Sequence, residues 1–240
     1  MSKEKKFVIF LIEELESKNY VNIRKITSKL SLQRRYDIVN HLISIGKLHG
    51  ILLHERLLFL SITKDKLSAI KNDLKNNGRI EISVLKGIWK VKDEIIINIL
   101  NHFEKGIEGK KTYYTLTHIS NILTSNLSNI DEYNLNLTSE NLEIDLNLLL
   151  RIVQEMINEG ELAGVIKNQT IFLSFENFES IISDYIDEKM DDAFELSFNE
   201  ISRDLFVQET DIEKFLMYLV EKNPGKFAVY PLEEKIQFKR

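Results

Sequence analysis

The stretch DIVNHLISIGKLHG at residues 37–50 returns without a gap as RIVQEMINEGELAG at residues 151–164. Each copy then continues into a β-rich stretch that ends in Phe-Leu-Ser, at residues 59–61 and 172–174. A duplication of this length indicates structural units of the same kind, stacked as neighbours in an array. Such an array predicts function on its surfaces rather than in one deep pocket.

The spacing of apolar residues around the first copy alternates between patterns typical of helices and of strands. Apolar residues first recur at helical spacing, then a short β-branched segment follows, then helical spacing returns before a final pair of apolar strands. Helix, strand, helix, helix and hairpin is the order of a winged helix-turn-helix. We predict a helix at 5–18, a strand at 20–23, helices at 26–30 and 34–45, and a hairpin at 48–60 that turns at His54-Glu55-Arg56.

The same order recurs three more times, with two departures. Residues 106–111 look like a loop, so we expect the hairpin of the second unit to be missing or vestigial. The Asn- and Ser-rich residues at about 125–145 look like a flexible polar insert in the third unit. The predicted fold class is mainly α with small β-hairpins, a tandem winged helix-turn-helix array of two internally duplicated pairs. The predicted domains are winged helix 1 at 1–61, winged helix 2 with a reduced wing at 62–111, winged helix 3 with the insert at 112–174, and winged helix 4 at 175–240.

The composition narrows the classes of protein to consider. The 240 residues are 43% hydrophobic and 29% charged, which is typical of a globular protein. The absence of cysteine excludes disulfides, thiolate metal sites and a thioester-carrying nucleophile. No apolar run has the length of a membrane span, and no signal peptide is evident. We therefore predict a cytoplasmic protein without a membrane span.

Motifs for catalysis are missing from the sequence. There is no Gly-x-Ser-x-Gly, no glycine-rich phosphate-binding loop and no His-Glu-x-x-His. The five histidines are scattered without acidic partners at ligand spacing. We predict a non-enzymatic protein with no catalytic residues, no metal and no cofactor.

Charge is distributed unevenly along the chain. Residues 1–111 contain 22 Lys+Arg and 13 Asp+Glu, a net charge of +9, whereas residues 112–240 contain 10 and 24, a net charge of −14. The basic part could contact nucleic acid, or an acidic protein surface. The start of a recognition helix is where a winged helix meets DNA. The candidate binding residues there and beside it are Arg34, Arg35, Tyr36, Lys25 and Lys29.

Three stretches carry a resemblance to a known family: RYDIVNHLI at 35–43, LFLSIT at 58–63 and GRIEISVL at 78–85. Their succession resembles the N-terminal winged-helix half of the scaffold E3 ligase of the ubiquitin-fold-modifier (ufmylation) pathway. It also resembles the winged-helix region of the DDRGK-domain adaptor of that ligase. The chain differs from both, because it lacks a long C-terminal helical region and a DDRGK-type N-terminal helix.

The resemblance implies a function. That ligase is a scaffold without a catalytic cysteine, which positions an E2-like enzyme and pairs with its adaptor through complementary winged-helix units. We therefore predict a non-enzymatic scaffold or adaptor for protein–protein interaction, as in a ufmylation-like conjugation system. Its partners would be an E2-like conjugating enzyme, a ubiquitin-fold modifier or a second winged-helix adaptor. The alternatives are a nucleic-acid-binding regulator that uses residues 1–111 and, by analogy of fold, a subunit of a membrane-trafficking assembly.

Overall fold

Four small sheets organise the chain. The computed structural model describes residues 1–18, 20–53 and 58–239. Within these residues the protein is mainly helical, at 59%, and contains four three-stranded antiparallel sheets that follow helices. In each sheet the last strand in sequence lies between the other two. A hairpin that pairs back onto the strand before its helices is the winged-helix arrangement, so the predicted tandem array is confirmed.

Winged helix 1 begins with a helix whose first turn is capped by Ser2, which accepts a hydrogen bond from the backbone N–H of Lys5. That helix buries Phe7 and Leu11. The turn predicted at His54-Glu55-Arg56 lies outside the described residues. The elements are α1 (Lys3–Ser17), β1 (Tyr20–Asn22), a 3-10 turn (Ile23–Lys25), α2 (Leu32–Ser44), β2 (Gly50–Leu53) and β3 (Leu58–Ser61).

Winged helix 2 has the hairpin that the sequence had suggested was missing. Gly109 donates its N–H to the carbonyl of Thr112 at 2.8 Å and closes the turn. The prediction of a loop at 106–111 was wrong, because a strand of three residues is too short to show alternation. Its last strand also runs beyond the predicted boundary at residue 111. The elements are α3 (Lys64–Asn77), β4 (Arg79–Glu81), α4 (Ile82–Trp89), α5 (Asp93–Phe103), β5 (Gly106–Glu108) and β6 (Thr112–Thr115).

Winged helix 3 contains no polar insert within its described residues. The residues at 125–145 form the end of one helix, a strand and a complete short helix. Asn134 caps that short helix by accepting a hydrogen bond from the N–H of Asn136, and Leu135 and Thr138 are buried. Asn134 therefore serves as a helix cap, and the Asn-rich segment is largely folded into helix and strand. The elements are α6 (Leu116–Leu127), β7 (Glu132–Asn134), α7 (Leu135–Leu142), α8 (Leu146–Asn158), β8 (Gly164–Lys167) and β9 (Ile171–Ser174).

Winged helix 4 follows the predicted order closely. Ser197 accepts a hydrogen bond from the N–H of Glu200 and so caps its second helix. Pro231 starts a 3-10 turn inside the hairpin. The elements are α9 (Phe175–Met190), β10 (Glu195–Ser197), α10 (Phe198–Leu205), α11 (Glu209–Lys222), β11 (Phe227–Tyr230), a 3-10 turn (Pro231–Glu233) and β12 (Lys235–Phe238).

The second helix is missing from winged helix 1, where the predicted helix at 26–30 was wrong. The recognition helix α2 begins nine residues after Ile23, whereas α5, α8 and α11 begin eleven residues after the equivalent Ile82, Leu135 and Phe198. Two fewer residues leave too little chain for a helix of eight residues. An irregular segment at residues 23–31, which begins with the 3-10 turn, replaces that helix.

A glycine and an aromatic ring repeat at the same place in three sheets. A Cβ at Gly50, Gly106 or Gly164 would clash with an aromatic ring on the neighbouring strand and with a backbone carbonyl of that strand. These rings belong to Phe59, Tyr113 and Phe172, all of which are buried. In winged helix 4 the large and the small residue exchange strands, because Phe227 occupies the position of the glycine and Ile236 occupies the position of the ring.

The chain forms two compact halves, Met1–Ile119 and Ser120–Arg240. The division falls within helix α6. Large core clusters of buried apolar residues lie at 7–59 and 51–113 in the first half and at 165–238 in the second. The other domain boundaries stay a prediction. Among the described residues, no helix combines the length and the apolar character needed to cross a membrane.

Candidate protein-interaction surface

Arg35 is not on the surface where the sequence placed it. Its side chain is 8% exposed, and its guanidinium lies 2.8–3.3 Å from five backbone carbonyl oxygens. A guanidinium has five N–H donors in a planar fork, which suits it to hold a ring of acceptors. Arg35 therefore holds the irregular segment that replaces the second helix and cannot contact a ligand. The carbonyls belong to Ile23, Arg24, Ile26, Ser28 and Leu30.

The other four predicted binding residues do not form one free basic face. Arg34 forms an ion pair with Glu4, with Nη2 at 2.7 Å and Nε at 2.8 Å from the same carboxylate oxygen. Tyr36 is half-buried, whereas Lys25 and Lys29 are exposed on the irregular segment. Of the five predicted binding residues, only Lys25 and Lys29 are exposed cations without an ion pair among the described residues.

The recognition helices of the other winged helices start with acidic or apolar side chains. Helix α5 begins with Asp93, which pairs with Lys86 at 2.9 Å, and with Glu94. Helix α11 carries Glu209 in its first turn, where Asp211 is buried. Helix α8 begins with Leu146 and is capped by an aspartate. Carboxylates at this place repel the phosphate groups that a DNA-binding winged helix must approach.

Helix α1 carries apolar residues on the side that faces solvent. Its buried face holds Phe7 and Leu11, yet Ile9, Phe10 and Ile12 are 38%, 45% and 44% exposed. We call these three exposed residues the α1 patch. A helix on a protein surface normally places polar side chains opposite its buried face, so an apolar stripe there marks a contact surface.

A groove of about 660 Å³ runs beside the α1 patch, between α1 and β1. Phe10 lines it from α1, and Tyr20, Val21 and Asn22 line it from β1. Side chains of successive strand residues point to opposite faces, so three in a row share a groove only along the backbone edge. Strand β1 is at the edge of its sheet, where a further strand can pair. We call this the β1 groove.

The charges in the β1 groove are balanced. Its four charged residues comprise two glutamates and two lysines, and Lys18 pairs with Glu14 at 3.0 Å. A groove for nucleic acid would be lined mainly by cations. The β1 groove is instead mixed in polarity, with an aromatic side chain on each wall, Phe10 and Tyr20, which is typical of a protein-binding site.

Two side chains of winged helix 2 and its junction with α6, His118 and Tyr113, have shifted pKa values. Burial, and secondarily the charge of Arg79, lowers the pKa of His118, which stacks on Tyr114. Burial, with a contribution from Glu104, raises the pKa of Tyr113, whose hydroxyl donates to the Glu104 carbonyl at 2.6 Å. In the described part of the chain, no three His, Asp or Glu side chains are placed to hold a metal ion.

The α1 patch was not predicted, although its signal is present in the sequence. Residues 7–12 read Phe-Val-Ile-Phe-Leu-Ile, six apolar residues in succession. A helix buries only one face against a small core, so such a run must leave some apolar side chains exposed. The run contains more apolar residues than one buried helix face can hold, and this excess indicates an exposed apolar surface.

Comparison with known proteins gives no family for this chain. No protein-family model matches it, and no curated protein matches it either.

Proposed function

We propose that the chain is a non-enzymatic scaffold that binds other proteins through the α1 patch and the β1 groove. The observation that carries this proposal is the apolar solvent-facing side of α1 beside an edge strand. An apolar patch can be buried by a partner, and an edge strand can accept an extended segment by hydrogen bonding. The starts of the recognition helices support protein over nucleic acid as the partner.

The resemblance to the ufmylation scaffold suggests which proteins would bind. An E2-like conjugating enzyme, a ubiquitin-fold modifier or a second winged-helix adaptor would be the partner, and the complex would be cytoplasmic. The first half of the chain, which contains the resembling stretches, also contains the α1 patch. We therefore propose the α1 patch as the surface that binds a protein of a ufmylation-like system.

The test is affinity capture of the tagged full chain from cells of its source, with and without nuclease, followed by mass spectrometry. Phe10→Asp places a charge in the α1 patch. Leu232→Asp is the matched control, because Leu232 is fully exposed in a different part of the chain. We expect partners that survive nuclease, persist with Leu232→Asp and disappear with Phe10→Asp. Capture that Phe10→Asp leaves unchanged would rule out this surface.

A second candidate function is nucleic-acid binding by the basic part of the chain. Its support is the net charge of +9 over residues 1–111 and the exposure of Lys25 and Lys29. Because Arg35 is structural, a charge reversal there would test folding rather than binding. The informative variant is Lys25→Glu with Lys29→Glu, measured by fluorescence anisotropy of a labelled DNA duplex over a range of salt concentration. Salt-dependent binding that this variant abolishes would favour nucleic acid.

A further inference from the structure

A second candidate surface lies in the other half of the chain and shares no residue with the α1 patch or the β1 groove. It is a cleft of about 710 Å³ between α8, the β8–β9 hairpin and the turn that joins α10 to α11. That volume is within the range of clefts that hold a ligand group or a peptide side chain. Its lining includes Arg151, Gln154, Asn168, Gln169, Arg203 and Phe206.

Backbone pairing holds two walls of the cleft together. Asn168 in the hairpin turn donates its N–H to the carbonyl of Phe206 at 2.9 Å. Lys167 and Val207 form an antiparallel bridge next to this hydrogen bond. The hairpin of winged helix 3 is thereby fixed to the helical turn of winged helix 4, so the cleft is formed before any ligand binds.

The charge of the cleft is opposite to that of its surroundings. The second half has a net charge of −14, yet the charged residues that line the cleft are Arg151 and Arg203. Arg203 contacts the neighbouring Asp204 at 3.2 Å. Arg151 is exposed, and within the described residues no carboxylate lies within ion-pairing distance of it. Its guanidinium is therefore available to a carboxylate from outside the chain.

Phe206 is an aromatic residue at a place where the fold does not need one. It follows α10 in the left-handed conformation, with φ at 57°, and it is 61% exposed. The equivalent residues after α4 and α7 are Lys90 and Glu143, in the same conformation. The fold accepts charged residues there, so packing does not explain the exposed ring. A contact with an apolar group of a partner does explain it.

We infer that this cleft binds an extended peptide segment of a partner protein in which an acidic side chain is next to an apolar one. The acidic side chain pairs with Arg151, and the apolar side chain packs on Phe206. A nucleic acid is disfavoured, because the half that holds the cleft is strongly acidic. This inference goes beyond the proposed function, since it assigns a separate peptide site on different residues.

The test begins with random peptides displayed on phage and selected on the full chain. A selected peptide is synthesised with a fluorescent label, and its Kd is measured by anisotropy. The cleft variants are Arg151→Gln and Phe206→Lys, the second of which places in winged helix 4 the residue type that winged helix 2 has at Lys90. The control variants are Lys214→Gln and Leu232→Lys, both exposed and outside the cleft lining.

We expect the selected peptides to carry Asp or Glu beside an apolar residue. Each cleft variant should raise the Kd about tenfold, the size of one charge-assisted or aromatic contact. The controls and Phe10→Asp should leave the Kd unchanged, which separates this site from the α1 patch. Three results would overturn the inference: no selected peptide, a Kd insensitive to both cleft variants, or Arg151-dependent binding of a single-stranded RNA probe that displaces the peptide.

Discussion

Arg35 occupies the position in α2 that a buried aliphatic residue occupies in the other recognition helices. The equivalent residues are the fourth of each helix, namely Ile96, Leu149 and Ile212, and all three are fully buried. Winged helix 1 has lost the second helix against which such a residue would pack. A guanidinium that satisfies five carbonyls is what this position requires instead.

Arg35→Met should therefore destabilise the first half of the chain by about 3 kcal/mol, because it removes the donors of several buried hydrogen bonds at once. Arg34→Met is the matched control, since it breaks only the exposed pair with Glu4 and should cost less than about 1 kcal/mol. Urea unfolding followed by the emission of Trp89, the single tryptophan, measures both. Equal costs for the two variants would contradict the structural role of Arg35.

Asp211 is a buried carboxyl group in the first turn of α11. Its side chain is 4% exposed, one carboxylate oxygen has no hydrogen-bond partner, and burial raises its pKa above the ordinary value of 3.8. The unfolded chain therefore loses this proton at a lower pH than the folded chain does. Its contribution to stability is complete below pH 3.8 and is lost as the pH rises through the pKa of the folded state.

Asp211→Asn should stabilise the second half at pH 7 by about 1 kcal/mol, because it removes a buried charge and keeps the shape. The advantage should shrink as the pH is lowered toward 3.8. Far-UV circular dichroism during urea unfolding at several pH values measures it, with Glu213→Gln on the same helix as the control. An advantage that does not change with pH would show that the charge of Asp211 is not its cause.

At the scale of elements, the hairpins depend on the glycine and the ring that repeat in three sheets. A Cβ at Gly106 would lie 2.7 Å from Cζ of Tyr113, whereas a Cβ at Gly87 in α4 would meet nothing within 4 Å. Gly106→Ala should therefore destabilise the first half by about 2 kcal/mol. Gly87→Ala should stabilise it by about 1 kcal/mol, because alanine is the better helix former.

The two alanine variants lie in the same winged helix, so Trp89 reports on both of them. Opposite shifts of the urea midpoint are the expected result. A loss of stability with Gly87→Ala would mean that α4 needs a glycine for a reason other than space.

The sequence predicted those elements whose pattern is long enough to repeat. The amphipathic helix at 34–45 and the paired strands of the hairpin at 48–60 were found, because helical spacing and paired apolar strands persist over many residues. The hairpin at 106–115 was missed because β5 has only three residues. The segment at 125–145 was misassigned because its Asn residues are frequent in loops and in helix caps alike.

The candidate site was less predictable than the fold. The arginine at position 35 looks the same in a sequence whether its guanidinium is free or holds five carbonyls. Only the alignment of α2 with α5, α8 and α11 shows that it occupies a core position. The exposure of Phe10 and Phe206 likewise depends on which helix face the tertiary structure covers, which helical spacing alone does not determine.

In the whole molecule, the boundary between the basic and acidic parts of the chain nearly coincides with the boundary between the two compact halves. Residues 112–119 carry no Lys, Arg, Asp or Glu, so the compact first half keeps the net charge of +9 and the second keeps −14. Each half contains two complete sheets. Two halves of opposite charge, each with its own candidate binding surface, would suit the proposed scaffold function, in which two different partners bind at once.

Because each half has its own core, we expect the halves to unfold in separate steps. Trp89 emission should follow the first half alone, while far-UV circular dichroism should follow both. Arg35→Met should lower the urea midpoint of the transition reported by Trp89 emission and leave the midpoint of the other transition unchanged. Asp211→Asn should raise only the midpoint of the transition that Trp89 emission does not report. If both probes instead report one transition, and each variant shifts it, the halves fold as a single cooperative unit. Binding to one surface would then stabilise the other, and the two proposed sites would be coupled.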